Sequence, residues 1–328
     1  MVQNKQNIVL TRKWPASVEQ ALVSAAAPHG VVQLREPDSA MSRDELANAL
    51  RTADVLCATV TDQIDEELLK QPECRTKLIA NFGVGVNHID LAAAQAAGIS
   101  ISNTPGVLTE ATAEIALTLL LSAARRTGEG ERLVRSGGWS GWYPTHMLST
   151  QVTGKKLGII GMGRIGLDLA RKAHHGLGMK IFYHNRSALP SEVAASLGAE
   201  RLTLEELLTR SDFVSLNCPA TPETRHLINA ETLALMQAHC ILINTARGDV
   251  VDEKALCEAL EKKQIAAAGL DVYEQEPVLT PGLLALDNVV LLPHMGSGTT
   301  QTREAMGQCA MRNVIAWLRG EPLPNGVA

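Results

Sequence analysis

Three polar residues in the last third of the chain carry side chains that suit the reduction of a carbonyl next to a carboxylate. Arg247 can bind a carboxylate through two parallel hydrogen bonds. His294 can donate a proton to the developing alkoxide, and a partner carboxylate such as Glu276 keeps an imidazole protonated near neutral pH. Each residue alone would also suit an ordinary surface or loop position. Together with the glycine-rich segment described next, they predict a catalytic site.

The glycine-rich segment is Gly161-Met-Gly163-Arg-Ile-Gly166, which follows a short apolar run and opens a helical pattern. The three glycines permit a tight turn, the close approach of a pyrophosphate and close packing of a helix on a strand. The start of the helix favours phosphate because its backbone N–H groups have no partners within the helix. A plain strand-to-helix turn could also use glycine, but the flanking pattern favours a dinucleotide-binding site.

The residues after the next predicted strand bear on the choice of dinucleotide. An acidic residue is usual about 20 residues after the glycine loop, where it binds the ribose 2′-hydroxyl. Here no acid lies between Asp168 and Glu192, and the strand is followed by Asn185, Arg186 and Ser187. Asn185 does not repel a 2′-phosphate and Arg186 offers it several donors, so the sequence predicts a preference for NADP(H), with NAD(H) possible.

These residues need sheets to position them, and the chain is patterned for two. Short β-branched runs alternate with helical stretches, which predicts parallel strands joined by helical crossovers. We predict strands over 8–11, 31–34, 55–60, 78–81 and 99–102, and a second series over 157–160, 180–184, 213–217, 241–245, 266–271 and 289–292. Arg247, Glu276 and His294 then follow the fourth, fifth and sixth strands of the second series. Ligands bind outside the carboxyl ends of such strands, and the fourth strand is expected to flank the crevice.

Local signals predict the main helices. Ser42 and Glu45 form a capping box at the start of a helix over 42–52, and Gly98 ends a helix over 91–97. A largely apolar helix is predicted over 109–126 and a long amphipathic one over 299–319, with a Gly- and Trp-rich loop over 136–144.

Composition excludes several classes of function. The 328 residues include 30 Lys plus Arg and 35 Asp plus Glu, a formal net charge of −5, and this length predicts two domains. The absence of a basic block argues against a nucleic-acid or anionic-membrane partner. The six cysteines show no metal-ligand spacing and no apolar run approaches ~18 residues, so we expect reduced cysteines, no metal site and a cytoplasmic location.

Longer segments of the chain resemble the D-isomer-specific 2-hydroxyacid dehydrogenase family. They are the glycine loop, Asn103-Thr-Pro-Gly-Val-Leu-Thr109, Asn244-Thr-Ala-Arg-Gly-Asp-Val-Val-Asp252, Ala267-Ala-Gly-Leu-Asp-Val-Tyr-Glu-Gln-Glu-Pro277 and Leu292-Pro-His-Met-Gly-Ser-Gly298. Within the family the chain is most similar to the glyoxylate/hydroxypyruvate reductases, through Phe82-Gly-Val-Gly-Val-Asn-His-Ile-Asp90, Gly138-Trp-Ser-Gly-Trp-Tyr-Pro144 and the Asn-Arg-Ser tip. Two positions depart from the common pattern: Asn217 stands where His is frequent, and Asn185 replaces the usual Asp.

The resemblance implies an α/β protein of two doubly wound parallel-sheet, Rossmann-like domains. The NAD(P)-binding domain, over 104–296, would be inserted in a flavodoxin-like substrate domain, over 1–103 and 297–328, with hinges near Asn103 and Gly296. Family members dimerise through the nucleotide domain, so a homodimer is expected.

The resemblance also implies a role for individual residues. His294 would be the acid and base, Glu276 its partner, and Arg247 the clamp on the substrate carboxylate and carbonyl. Val84 and Gly85 would bring backbone N–H groups to the carboxylate, and Trp139 or Trp142 would reach the active site of the neighbouring subunit. The remaining candidates would bind the cofactor, with Asp271 orienting the nicotinamide carboxamide: Thr109, Gly161, Met162, Gly163, Arg164, Ile165, Gly166, Asn185, Arg186, Ser187, Cys218, Pro219, Thr245, Ala246, Asp271, His294 and Gly296.

The function implied is NADPH-dependent reduction of a small 2-oxo acid, glyoxylate or hydroxypyruvate, to glycolate or D-glycerate. A 2-ketogluconate reductase, a D-lactate dehydrogenase or a phosphite dehydrogenase on the same scaffold are the alternatives. A more distant one is a nucleotide-sensing binding protein like the transcriptional corepressors of this superfamily, which keep the Arg, Glu and His set.

Overall fold

The computed structural model describes residues 5–36 and 38–327. Its strands are β1 (Gln6–Leu10), β2 (Gly30–Gln33), β3 (Val55–Cys57), β4 (Leu78–Ala80), β5 (Ser100–Ser102), β6 (Lys156–Ile160), β7 (Lys180–His184), β8 (Glu200–Arg201), β9 (Phe213–Leu216), β10 (Ile241–Asn244), β11 (Ala267–Leu270), β12 (Val289–Leu291) and β13 (Gly326–Val327). Its helices are α1 (Ala16–Ala26), α2 (Arg43–Thr52), α3 (Glu66–Leu69), α4 (Leu91–Ala96), α5 (Thr109–Ala124), α6 (Thr127–Arg135), α7 (Arg164–Leu177), α8 (Ser191–Ser196), α9 (Leu204–Arg210), α10 (Ala230–Leu235), α11 (Glu253–Glu261), α12 (Pro281–Ala285) and α13 (Thr300–Leu318).

The chain divides into two compact units. Unit 1 comprises Met1–Leu108 and Gly298–Ala328, and unit 2 comprises Thr109–Ser297. The sequence predicted divisions after residues 103 and 296, whereas the structure divides after Leu108 and Ser297. None of the helices within 5–36 and 38–327 is long and apolar enough to cross a membrane.

Unit 1 contains a six-stranded sheet in the order β2-β1-β3-β4-β5-β13. The first five strands run parallel, in the order typical of flavodoxin-like domains. β13 pairs antiparallel with β5 and comes from the far end of the chain. The predicted doubly wound, flavodoxin-like sheet is therefore confirmed, with one additional edge strand.

Unit 2 contains a parallel sheet of seven strands in the order β8-β7-β6-β9-β10-β11-β12. The Rossmann-like fold is confirmed, but the predicted count of six strands was wrong. β8 was missed because it is only two residues long and both, Glu200 and Arg201, are charged. As a result the fourth strand of this sheet is β9, and β9 rather than β10 lies next to β6 at the switch point. Arg247 therefore follows the fifth strand, one place away from the crevice that the sequence analysis expected it to flank.

The central strands of unit 2 are buried along their whole length. β9, β10 and β11 read as short, largely apolar runs without alternation, as expected where helices cover both faces of a parallel sheet. One of these helices is α5, and a Cβ added at Gly269 of β11 would lie 2.9 Å from Cβ of Leu119. This glycine therefore allows α5 to pack closely on the sheet.

Most of the predicted helix ends are confirmed. Ser42 and Glu45 form the capping box of α2, and Gly98 has a φ of 69° just after α4. The predicted helix over 109–126 is shorter than expected, because α5 ends at Ala124 and Arg126 adopts a left-handed φ of 55° before α6.

Candidate active site

His294 lies just beyond the carboxyl end of β12 in unit 2. Its Nδ1 is 2.6 Å from Oε2 of Glu276, and about 29% of its side chain is exposed. The contact at Nδ1 leaves Nε2 as the ring nitrogen that can reach a substrate. His294 has a φ of 53°, a left-handed conformation that is uncommon for a residue with a Cβ and concentrates at functional sites.

Glu276 is held from both sides of its carboxylate. Oε1 accepts a hydrogen bond of 3.0 Å from the N–H of Tyr273, and Oε2 faces His294. Burial raises the pKa of the Glu276 carboxyl, but the hydrogen bond and charge of His294, the N–H of Tyr273 and the charge of Arg247 together hold this pKa below its ordinary value. The Tyr273 hydroxyl donates to the carbonyl of Leu292 at 2.8 Å, which ties the two segments together. Glu276 is thus an ionised carboxylate in a fixed orientation against the imidazole.

Arg247 follows β10, and its guanidinium is largely buried. Burial lowers the pKa of Arg247, while the charges of Glu276 and Asp249 raise it. Because the ordinary pKa of arginine is very high, the side chain stays cationic. Its Nη1 donates to the carbonyl of Ala246 at 2.7 Å, and Nδ2 of Asn244 donates to the Arg247 carbonyl at 2.8 Å. These contacts fix the backbone from which the guanidinium extends.

Gly248 joins the Arg247 segment to the Glu276 segment. A Cβ at Gly248 would lie 1.8 Å from the carbonyl carbon of Tyr273, so the two backbones pack directly on each other. Any larger residue would force the segments apart. The positions of Arg247 and Glu276 therefore depend on each other.

A second imidazole–carboxylate pair supports the same region and was missed in the sequence. Nε2 of His226 is 2.6 Å from Oε1 of Glu274, and the other oxygen of Glu274 accepts from the N–H of Glu253 at 3.2 Å. Glu253 is buried and accepts from the N–H of Glu274 at 2.8 Å. The only signal in the sequence was that Glu274 lies two positions before Glu276, and this spacing is not distinctive.

Asp271 anchors the backbone that follows His294. It is buried, and its Oδ1 accepts from the N–H of Met295 at 2.7 Å. Burial raises the pKa of Asp271, against this hydrogen bond. A Cβ added at Gly296 would lie 3.3 Å from Oδ2 of Asp271, so the predicted residues Asp271 and Gly296 do lie side by side.

The glycine loop joins β6 to α7 and has the geometry that a dinucleotide site requires. Gly161 has a φ of 93°, and a Cβ there would lie 2.5 Å from the backbone nitrogen of Cys218. A Cβ at Gly166 would lie 2.3 Å from the carbonyl oxygen of Gly161, whereas one at Gly163 would meet nothing within 4 Å. Gly161 and Gly166 thus serve the packing of the chain, while the space beside Gly163 is open at the N-terminus of α7. This arrangement fits a bound pyrophosphate.

Two buried side-chain oxygens lie in the segments that the sequence analysis assigned to the cofactor. Oγ1 of Thr245 and Oδ1 of Asn217 have no hydrogen-bond partner within the described chain. Buried polar atoms are rarely left unpaired in folded proteins. Both atoms are therefore consistent with a ligand that supplies the partner.

Comparison with known proteins identifies the family. The model of the D-isomer specific 2-hydroxyacid dehydrogenase NAD binding domain matches residues 117–296. The chain belongs to this family. It is 46% identical over 298 residues to the glyoxylate reductase of Thermococcus litoralis. The aligned residues cover 90% of this chain and 89% of that protein.

Solved structures of 2-hydroxyacid dehydrogenases share the fold over nearly the full length. A glyoxylate reductase from Paecilomyes thermophila superposes with a TM-score of 0.85 at 34% identity, covering 99% of this chain and 98% of that one. The NADPH-dependent glyoxylate/hydroxypyruvate reductase of Sinorhizobium meliloti, in complex with NADP and malonate, gives a TM-score of 0.84 at 32% identity, covering 99% and 97%. This chain is accordingly an NAD(P)-dependent D-2-hydroxyacid dehydrogenase.

The tip that follows β7 in this dehydrogenase, residues 185–187, is held by Arg201, which the sequence analysis missed. Nη2 of Arg201 donates to the carbonyls of Asn185 and Arg186 at 2.9 and 2.8 Å, and Nδ2 of Asn185 donates to the carbonyl of Ser187 at 3.0 Å. Arg201 belongs to β8, the strand that was not predicted. A prediction of β8 would have placed Arg201 on the strand beside β7, next to residues 185–187.

The remaining predicted residues of this dehydrogenase lie in several places. Val84 and Gly85 are in the unit 1 loop after β4, and Thr109 opens α5 in unit 2. Trp139 and Trp142 lie in the predicted loop of unit 2, with 54% and 81% of their surface exposed. The other assigned residues are part of, or directly follow, the glycine loop, β9 and β10: Met162, Arg164, Ile165, Pro219 and Ala246. Within residues 5–36 and 38–327 no group of three or more His, Cys, Asp or Glu side chains is placed to hold a metal ion.

Proposed function

We propose that this dehydrogenase reduces glyoxylate or hydroxypyruvate to glycolate or D-glycerate with NADPH. The observation that carries the proposal is the 2.6 Å contact between His294 and Glu276, beside the Arg247 segment. The named relatives support the substrate class, since the Thermococcus and Paecilomyes proteins are glyoxylate reductases and the Sinorhizobium enzyme also bears the name of hydroxypyruvate. Unit 2 serves as the nucleotide-binding domain and unit 1 as the substrate domain.

In the proposed reaction each polar residue has one task. Arg247 binds the carboxylate of the 2-oxo acid, and the family resemblance predicts that the backbone N–H groups of Val84 and Gly85 also bind a substrate carboxylate. Nε2 of His294 donates a proton to the carbonyl oxygen, and Glu276 stabilises the imidazolium and fixes its orientation through Nδ1. The nicotinamide, when bound, supplies the hydride that reaches the carbonyl carbon. The sum of hydride and proton converts the 2-oxo acid into the 2-hydroxy acid.

The preference for NADP(H) rests on the tip after β7. Arg186 places a cation there, and no acid stands where a carboxylate would meet the ribose. Arg201 and the Asn185 side chain satisfy the carbonyls of residues 185–187, so these carbonyls do not turn toward a phosphate. The Sinorhizobium relative, which is NADPH-dependent, supports the same choice.

We also propose a homodimer formed through unit 2. Trp139, Trp142 and Tyr143 are exposed in one loop, and Leu148 follows with 69% of its surface exposed. Large exposed apolar side chains that lie near one another in the chain indicate a protein interface. Sedimentation of the purified chain is expected to give the mass of a dimer, and Trp142→Ala is expected to shift the equilibrium toward the monomer. A monomeric wild-type protein at micromolar concentration would contradict this arrangement.

Steady-state kinetics test the proposed reaction. The purified chain is assayed with glyoxylate, hydroxypyruvate, 2-ketogluconate and pyruvate, each with NADPH and with NADH. We expect the highest kcat/KM for glyoxylate or hydroxypyruvate with NADPH. A higher value for 2-ketogluconate or pyruvate would transfer the assignment to the corresponding reductase, and a clear preference for NADH would contradict the cofactor assignment.

A further inference from the structure

The unit 1 loop that follows β4 has three consecutive carbonyls bound by asparagine side chains. Nδ2 of Asn81 donates to the carbonyls of Gly83 and Gly85 at 3.0 and 2.9 Å, and the Gly83 carbonyl also accepts from the N–H of Thr104 at 3.0 Å. Nδ2 of Asn103 donates to the carbonyl of Val84 at 2.9 Å. Neither asparagine is part of the catalytic or cofactor set described above.

These hydrogen bonds determine where the N–H groups of the loop point. Glu276–Pro277 is the only cis peptide among the described residues, so the loop peptides are trans, and in a trans peptide the N–H points opposite to the carbonyl. The N–H of Val84 therefore points away from Asn81, and that of Gly85 away from Asn103. Within the described chain neither N–H donates to another group.

The peptides on either side of Val84 need an external hold of this kind. Gly83 and Gly85 flank Val84, and glycine lets a peptide rotate at little cost because it has no Cβ. An unanchored Gly-Val-Gly segment would therefore present a carbonyl as easily as an N–H. A carbonyl turned toward a bound carboxylate would repel it.

Both asparagines are themselves held in place. Oδ1 of Asn81 is 3.1 Å from Nε2 of His88, and both residues are buried, which fixes the amide with its NH₂ group toward the loop carbonyls. The N–H of Asn103 donates to the carbonyl of Asn325 at 3.1 Å, and the N–H of Asn325 donates to the buried Asn313 of α13 at 2.9 Å. The loop is thus connected by hydrogen bonds to the last helix of unit 1.

We propose that Asn81 and Asn103 are positioning residues of the substrate site, which lock the peptides around Val84 so that the N–H groups of Val84 and Gly85 are presented to the substrate carboxylate. The inference rests on the proposed function, because it takes a 2-oxo acid as the ligand. It adds two residues whose side-chain amides bind the carbonyls of the loop itself.

Asn103→Ala is the primary test, since Asn103 is only partly buried, and Asn48→Ala on the exposed face of α2 is the matched control. We expect the KM for glyoxylate to rise about tenfold to a hundredfold in Asn103→Ala, through the loss of an oriented hydrogen bond to a charged group. The kcat and the KM for NADPH should stay within about threefold of wild type, because neither the acid nor the cofactor site changes. A loop that is merely less stable would lower the melting temperature without this separation of KM from kcat. Unchanged KM, or a parallel loss of kcat and of affinity for NADPH, would overturn the inference.

A second measurement does not depend on turnover. In ¹⁵N-labelled protein saturated with NADP⁺, oxalate is expected to shift the amide signals of Val84 and Gly85 downfield, and to shift them less in Asn103→Ala. If wild-type protein reduces no 2-oxo acid, the proposed function fails, yet the oxalate titration still decides the role of the loop. If wild type is active and neither amide responds to oxalate, the inference about the asparagines is wrong while the proposed function stands.

Discussion

The proposed substrate-binding groups of unit 1 and of unit 2 are of two different kinds. In unit 2 the donors are side chains, Arg247 and His294, held by Glu276 and by the close packing at Gly248. In unit 1 they are the backbone N–H groups of Val84 and Gly85, in a loop whose carbonyls accept hydrogen bonds from the side chains of Asn81 and Asn103. A side-chain donor is removed by one substitution at its own position. A backbone N–H stays after substitution, and its orientation changes only when the residues that hold the loop are replaced. The two regions should therefore respond to substitution in different ways.

The largest effect is expected at His294, the proposed proton donor. His294→Ala should lower kcat/KM by about 10²–10⁴ for both glyoxylate and hydroxypyruvate, the usual contribution of a general acid. Binding of NADPH, followed by fluorescence, should weaken much less than kcat/KM falls, because the other predicted cofactor residues remain. The exposed His175 gives the control His175→Ala. Wild-type kcat/KM in His294→Ala would show that the proton comes from another group.

A smaller loss is expected when the charge of Arg247 is kept and its shape is changed. Arg247→Lys retains a cation but loses the two parallel donors, so we expect the KM for the 2-oxo acid to rise about tenfold to a hundredfold. The loss should exceed that of Asn103→Ala, because the substitution removes the donor itself. Equal KM values in Arg247→Lys and wild type would contradict the proposed clamp.

Removing the charge of Glu276 should slow reduction. The carboxylate lies 2.6 Å from Nδ1 of His294 and fixes the orientation of the ring. In Glu276→Gln the kcat/KM for reduction should therefore fall, but by less than in His294→Ala. The exposed Glu261 supplies the control Glu261→Gln, whose kcat/KM should match wild type. Wild-type kcat/KM in Glu276→Gln would separate Glu276 from the proposed acid.

The same carboxylate gives a prediction for stability. The pKa of Glu276 is held below its ordinary value of 4.5 in the folded protein, so its ionised form stabilises the fold at pH values above the unfolded pKa. This contribution should disappear as the pH falls through the lowered folded pKa. The melting temperature of wild type should thus exceed that of Glu276→Gln near neutral pH, and the difference should narrow in acid. A difference that grows in acid would contradict the sign of the shift.

The smallest effect is expected at the tip after β7, where the backbone is well held and Arg186 is exposed. Arg186→Ala should reduce the ratio of kcat/KM for NADPH to kcat/KM for NADH by about tenfold. This is the effect expected from the loss of one solvent-exposed, charge-assisted hydrogen bond. Arg171→Ala, at an exposed position of α7, should leave this ratio unchanged. If Arg186→Ala also leaves it unchanged, the 2′-phosphate is bound by other groups.

The features that could be predicted from sequence are those in which a residue acts through its own type. Gly161 predicted a tight turn, Ser42 a capping box and Gly98 a helix end. The apolar runs of β9 to β11 predicted a buried parallel sheet. The structure confirms all of these. His294, Glu276 and Arg247 were chosen for their chemistry, and their catalytic roles stay predictions.

The features that escaped prediction act through distant neighbours. β8 has no apolar residue of its own and exists because β7 offers it an edge, so Arg201 and its hold on the Asn185 carbonyl were hidden with it. Asn81 and Asn103 lie 22 positions apart, a separation (103 − 81) at which no local pattern relates them. Their joint effect on one loop follows from the fold, since β4 and β5 are neighbouring strands.

The return of the chain to unit 1 through α13 and β13 has a consequence for synthesis on the ribosome. Unit 2 is one continuous stretch, so it can complete its fold while the rest of the chain is still being translated. The apolar face of β1 and α1, with Val18 and Leu22, packs against Met306 and Val314 of α13. That face stays uncovered until the whole of unit 2 has been made. The segment that precedes unit 2 is therefore synthesised before unit 2 but completes its packing after it.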